Sequence, residues 1–176
     1  MSQEQAKKYF RSGIVGFVLF IIPFCIITAY INSGNYLVEL TKVMTLNTIG
    51  QLKSFYVDHP TPLILEYIDY FCIAGYMLMI YSLYRYFILK MNAWKGVKKV
   101  SFVMLAATIF IGICDLVETT ITTIGSYIKF QMPDIFLIIH IVSTYIKGLI
   151  WIVFIWQIVL IVILLINRLM KKNMPA

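Results

Sequence analysis

Charge is what this sequence has least of. Of its 176 residues, 15 are Lys or Arg and 8 are Asp or Glu, together 13 %. A soluble domain carries roughly 25 % charged residues and roughly 45–50 % apolar ones. Here the apolar share is 61 %, more than so short a chain can hide from water. That shortage excludes a soluble enzyme and a disordered chain. Cysteine is scarce too. Cys25, Cys72 and Cys114 are odd in number, lack C-x-x-C spacing and all fall in apolar runs. They exclude a disulfide scaffold and read as packing residues. There is no internal repeat and no low-complexity stretch.

What is there is long apolar runs. Four of them, residues 13–31, 63–84, 101–124 and 135–166, are long enough to cross about 30 Å of hydrocarbon, which takes about 20 helical residues. The expected fold is an all-α, four-helix integral membrane bundle in a single domain over residues 1–176. Pro23 lies near the centre of the first run and should free a carbonyl there. The fourth run has 32 residues, so it should tilt or project into the cytoplasm. Lys7, Lys8 and Arg11 precede the first run as in a signal peptide. The run is too long for an h-region, however, and no A-x-A-like site follows, so an uncleaved first span is expected.

The net charge of +7 belongs to this topology rather than to nucleic acid. Lys7, Lys8, Arg11, Arg85, Lys90, Lys95, Lys98, Lys99, Arg168, Lys171 and Lys172 fall on one side of the four spans. Only Lys42, Lys53 and Lys129 fall on the other. The positive-inside rule then places both termini in the cytoplasm, in a multi-pass cell-membrane protein. Between the first two spans, Leu40, Val43, Leu46, Ile49, Leu52, Phe55 and Tyr56 recur at spacings of three and four. That spacing predicts an interfacial helix over 40–56.

Six ionisable residues lie at membrane depth, where they are expensive and face the bundle interior. Glu66 and Asp69 are three apart in the second span, with Tyr76 seven beyond Asp69. Asp115 and Glu118 are three apart in the third, with Thr119 and Thr122 on the same face. His140, Thr144 and Lys147 run i, i+4, i+7 in the fourth. At about 1.5 Å of rise per residue, Asp69 and Glu118 lie about 9 Å below the outer ends of their spans, His140 about 8 Å, Asp115 about 14 Å and Lys147 about 18 Å. Lys147 can reach upward along its stem. Three helices thus present one polar stripe each at comparable height.

Four carboxylates against one lysine and one histidine would carry about −3 with His140 neutral. A low-dielectric site does not hold that, so some carboxyls stay protonated, water enters, or a cation binds. The expected function is the binding of a proton, a cation or a small polar ligand, with a link to transport. Lys147 is then the central charge, Asp115 and Glu118 its partners, Asp69 and Tyr76 the lining, and Glu66 and His140 the outer mouth. The alternative is a structural or accessory subunit whose polar residues only fix helix packing. An intramembrane enzyme comes third: Ser143 near His140 gives loose geometry, and no nucleophile or zinc motif is present. Di-iron bundles use Glu-x-x-His pairs. This chain has none, so no metal or other cofactor is expected. The tyrosines Tyr67, Tyr70, Tyr81 and Tyr84 near helix ends read as interfacial belts.

Asp69-x6-Tyr76, Asp115-x-x-Glu118 and the intramembrane Lys147 resemble a family of small, uncharacterised four-helix bacterial membrane proteins whose third-helix motif reads D-x-x-E-N. Thr119 stands here in place of the Asn. The resemblance covers the second to fourth spans and implies a shared polar site, with no activity attached. The partners expected are the lipid bilayer and, within it, a second copy or another membrane protein, with no nucleic acid.

Single cysteines introduced at Asn47 and Lys95, in a background without the native three, should be labelled from opposite sides of the membrane. Labelling of both from one side would dismiss the four-span topology.

Overall fold

The computed structural model describes residues 3–33, 49–58, 63–90 and 95–173. Six helices account for nearly all of them: α1 Gln3–Ser33, α2 Ile49–Asp58, α3 Leu63–Lys90, α4 Lys95–Tyr127, α5 Asp134–Lys147 and α6 Ile150–Asn173. No strand occurs among the described residues. Four stretches are long and apolar enough to cross a membrane: Glu4–Tyr30, Leu63–Lys90, Gly96–Tyr127 and, through α5 and α6 together, Asp134–Ile166. The four-helix expectation holds, with α1 and α3 extending past the apolar runs that define them.

α3 is the central helix. It packs on α1, on α4 and on α6, while α4 also carries α5 and α6. Its inward line Ile73, Tyr76, Ile80, Tyr84 and Phe87 is buried, and it meets Leu105 and Ile111 of α4 and Val153 and Leu160 of α6. Positions spaced by three and four share one helix face, so this line is a single stripe. The outward faces of α1 and α6 expose Ile14, Phe17, Ile22, Trp151, Ile155 and Ile158.

α1 approaches α3 through glycine. A Cβ on Gly16 would fall on the backbone of Met79, and one on Gly75 on the backbone of Leu19 and Phe20. Small residues let two helices come this close, so that dispersion acts directly between their backbones. Pro23 lies inside α1 without ending it. A helical proline leaves the carbonyl four residues earlier without an amide. Here that carbonyl is Leu19, the group Gly75 abuts. The Cys72 thiol reaches the neighbouring carbonyl of Phe20 at 3.9 Å.

Of the helix expected over 40–56, Ile49–Asp58 is helical; Leu40, Val43 and Leu46 lie outside the described residues. Ile49 packs on the small cluster of Ile121, Phe130, Met132 and Leu137, and Lys53 pairs with Asp134 at 2.9 Å. That pair is 38 % and 63 % exposed, so it contributes only about 0–1 kcal/mol. α2 therefore lies across the end of α4 and α5.

Two features depart from the sequence reading. The fourth run is not one continuous helix. It breaks at Gly148 and Leu149, where Leu149 N–H bonds to the Ile146 carbonyl and Ile152 N–H to that of Leu149, each reaching back three residues. Glycine disfavours a helix interior by about 1 kcal/mol, and the overwound turn sits beside it. The second is the α4–α5 turn, on which the sequence pattern is silent. Lys129 (φ 49°) and Phe130 (φ 55°) both adopt the left-handed conformation, a cost of about 1–2 kcal/mol each. Burial of Phe130, 4 % exposed, and its amide's bond to the Gly125 carbonyl at 2.7 Å offset that cost. Gly125 is required because a Cβ there would strike the Phe130 ring.

Gly75→Leu should push α1 off α3 and destabilise the protein by about 1–3 kcal/mol, the usual range for overpacking. Gly50→Leu, where nothing lies within 4 Å of the added Cβ, should change little. Thermal unfolding of both variants in one detergent compares them directly.

Candidate functional site

α4 carries a continuous inward seam. Ser101, Leu105, Thr108, Asp115, Thr119 and Thr122 are all buried at alternating spacings of four, three and seven, and Gly112 fills the gap. In a helix interior a hydroxyl is cheapest to bury when it bonds back to the preceding turn. Thr108 does so to Met104 at 2.8 Å, Thr123 to Thr119 at 2.8 Å and Ser126 to Thr122 at 2.9 Å. Thr119 is different. Its hydroxyl leaves the helix and donates to Asp69 Oδ2 of α3 at 2.8 Å.

One turn deeper lies the charged centre. Lys147 Nζ stands 3.0 Å from Asp115 Oδ1 and 3.4 Å from Glu118 Oε2. The other oxygen of Asp115, Oδ2, accepts the Tyr76 hydroxyl at 2.9 Å. Each oxygen of Asp115 thus has a different helix as partner, α3 through Tyr76 and α5 through Lys147. The carboxylates are well enclosed, with Asp115 and Glu118 side chains 8 % and 12 % exposed, while the Lys147 side chain is 35 % exposed. Its ammonium points in toward the two acids. Lys147 is also the last residue of α5, where the negative end of the helix dipole favours a cation.

Nearer the α4–α5 turn, His140 Nε2 and Thr122 Oγ1 are 3.1 Å apart. The Thr122 hydroxyl donates to the Glu118 carbonyl at 3.1 Å, so its oxygen accepts from His140. That assigns the tautomer with the proton on Nε2. His140 is 1 % exposed. Glu66, 8 % exposed, sits within electrostatic range of Asp69, Glu118 and Lys147 and makes no hydrogen bond among the described residues. Tyr67 and Tyr127 share a 2.7 Å bond, and Tyr70 donates to Thr120 at 3.0 Å, which ties α3 to α4 above the cluster.

Asp69, Tyr76, Asp115, Glu118 and Lys147 therefore come together as one network, while Glu66 and His140 flank it on the side of the α4–α5 turn. His140 reaches the network through Thr122. Among the described residues no three His, Cys, Asp or Glu side chains converge as metal ligands. One expectation fails: Tyr84 is not in an interfacial belt. It is fully buried in the core, with 0 % exposure, because its position on α3 continues the Ile73–Ile80 stripe inward.

Replacing Lys147 with Met should destabilise the protein by about 2 kcal/mol, because two enclosed carboxylates lose their cation. Adding Glu118→Gln should recover part of the loss. A double-mutant cycle by thermal unfolding in detergent should yield a coupling of at least about 0.5 kcal/mol. Additive effects would mean that the ion pair contributes nothing.

No family model, curated protein or solved structure matches the chain, so the chemistry of this site rests on its own residues.

Proposed function

We propose that the chain is a multi-pass protein of the cell membrane, with both termini cytoplasmic. Its Asp69–Tyr76–Asp115–Glu118–Lys147 network binds a proton or a small cation as part of transport. The observation that carries this reading is the Lys147 ammonium held between Asp115 and Glu118 at a break in the fourth apolar span. Structural pinning needs one acid for one lysine. Here Asp69 and Glu66 stand beside the pair with no second cation among the described residues of the cluster. Such an excess of acid in a low-dielectric site is relieved by taking up positive charge. Broken spans at half depth recur where transporters build ion sites from helix ends, and the α5 C-terminus supplies such an end.

Membership in the four-helix family suggested by Asp69-x6-Tyr76 and Asp115-x-x-Glu118 belongs to the same proposal. A second reading has its own support. Both ion pairs join α4 to α5, and α6 touches α4 and α3 only sparsely, so Lys147 also suits an accessory subunit in which it fixes the fourth span.

Purified protein in liposomes with a trapped pH-sensitive dye separates the two. Under an imposed pH or Na⁺ gradient, wild type should carry proton flux that Asp115→Asn and Lys147→Met reduce at least about tenfold, the effect of roughly 1.4 kcal/mol at the site. Asp134→Asn, on the exposed pair with Lys53, should leave it unchanged. Flux equal to that of empty liposomes under both gradients would favour the accessory reading.

A further inference from the structure

The charged network is built by α3, α4 and α5, and the first turns of α1 take no part in it. There an open groove of about 800 Å³ reaches from α1 to Leu78 of α3. Small-molecule sites occupy about 300–1,000 Å³, so the groove is large enough for a ligand. Lys7, Lys8 and Arg11 line it, and Glu4 is the one acid in its wall. Three cations less one carboxylate leave a net charge of +2.

Lys7 and Lys8 precede Arg11 by four and three residues, so all three share one side of α1. Glu4 stands three and four residues before the two lysines, the spacing at which helical ion pairs form. Among the described residues, however, none of the three cations forms an ion pair. Arg85 of α3 is different. It donates to the Tyr9 hydroxyl at 3.5 Å and stands over the Tyr9 ring at 5.4 Å. Lys7, Lys8 and Arg11 are exposed, and their charge is left to something outside the chain.

The same side of α1 continues as an apolar track. Lys8, Arg11, Val15, Leu19, Ile22 and Ile26 follow one another at spacings of three and four, which makes a single stripe. Val15 also lines the groove, and Val15, Leu19, Ile22 and Ile26 are 53 %, 39 %, 54 % and 47 % exposed. From Val15 to Ile26 is eleven residues. At about 1.5 Å of rise each, the track is about 16 Å long, close to half of a hydrocarbon core of about 30 Å. A cationic groove that opens onto an apolar track one leaflet long matches a phosphate headgroup followed by its chain.

We propose that this groove binds an anionic phospholipid: Lys7, Lys8 and Arg11 hold its phosphate, and one chain lies along Val15, Leu19, Ile22 and Ile26. The proposal rests on the membrane placement proposed above and is independent of the transport reading. A cytoplasmic N-terminus puts the groove at the leaflet where anionic lipids collect. The net charge selects the headgroup. A zwitterionic one brings its own cation to a site already positive, whereas an anionic one neutralises it. The track selects a lipid over a soluble phosphate, which has no apolar surface to lay on it.

Native mass spectrometry of the full chain in a neutral detergent reads the affinity of each probe. The probes are phosphatidylglycerol, phosphatidylcholine with the same chains, and glycerol phosphate. A Lys or Arg beside anionic lipid is worth roughly fivefold in affinity, so wild type should prefer phosphatidylglycerol to either other probe by at least about tenfold. Lys8→Gln with Arg11→Gln should remove that preference. Lys90→Gln with Lys99→Gln takes the same charge from exposed residues of α3 and α4 and should change the affinity by less than about twofold, being outside the groove. Equal binding of the two phospholipids would overturn the proposal. So would equal losses in the two double variants, because only surface charge would then be read. Glycerol phosphate bound as tightly as phosphatidylglycerol would make the occupant a soluble anion and overturn it too. Should the variants fail to fold, the wild-type comparison of the three probes decides alone. Alkaline carbonate extraction of native membranes tests the placement separately. Release of the chain would overturn the placement and the groove together, whereas retention without a lipid preference would overturn the groove alone.

Discussion

A lysine ammonium deep in an apolar bundle has to find acid within reach, and most of this structure is arranged around that requirement. Lys147 finds two acids on one face of α4. For those acids to meet it, α5 must descend beside α4 in a fixed register, which the tight Lys129–Phe130 turn and the His140–Thr122 bond provide. For Asp115 to be fully bonded, α3 must bring Tyr76 to its other oxygen. The Phe20 ring of α1 packs edge-on against Tyr76 at 6.4 Å and helps hold it there. The helices that carry no charge at this level are thus also committed by it.

The energetic logic is that of a solvent without hydrogen bonds. An apolar bundle interior offers nothing else to a hydroxyl or a carbonyl, so each must be answered from inside the protein. Thr108, Thr120, Thr122 and Thr123 answer their own hydroxyls through the preceding turn. Thr119 instead spends its proton on Asp69. One threonine in the row departs from the local solution, and it is the one that links a second acid to the network.

Much of this was legible in the sequence. The spans follow from run length, and the meeting of Lys147 with Asp115 and Glu118 follows from spacings of three and seven, which fix a helix face without any knowledge of neighbours. Thr119 and Thr122 were visible as extensions of the same face. Other features were hidden for definable reasons. Gly148 sits in an otherwise unbroken apolar run, and its weak helix propensity does not by itself dictate a break. Lys129 and Phe130 lack the Gly or Asn that usually marks left-handed backbone, because burial of one ring carries the cost. Tyr84 near the end of an apolar run matches a belt residue in every local respect. Only the rotation of α3, set by the Gly16–Gly75 contact, turns it inward. Gln157 is a lone polar residue whose meaning depends on what faces it.

The break between α5 and α6 has an angular consequence. In an unbroken α-helix each residue advances about 100°, so Lys147 and Gln157, ten apart, would point about 80° away from each other. Bonds that reach back three residues advance about 120° per residue. The two such bonds around Leu149 therefore turn α6 forward by a few tens of degrees and swing Gln157 toward the azimuth of Lys147. The overwound turn is a phase corrector. It roughly halves the angle between the cation and the amide that α5 and α6 present, to about 40°, which a uniform helix of this sequence does not do.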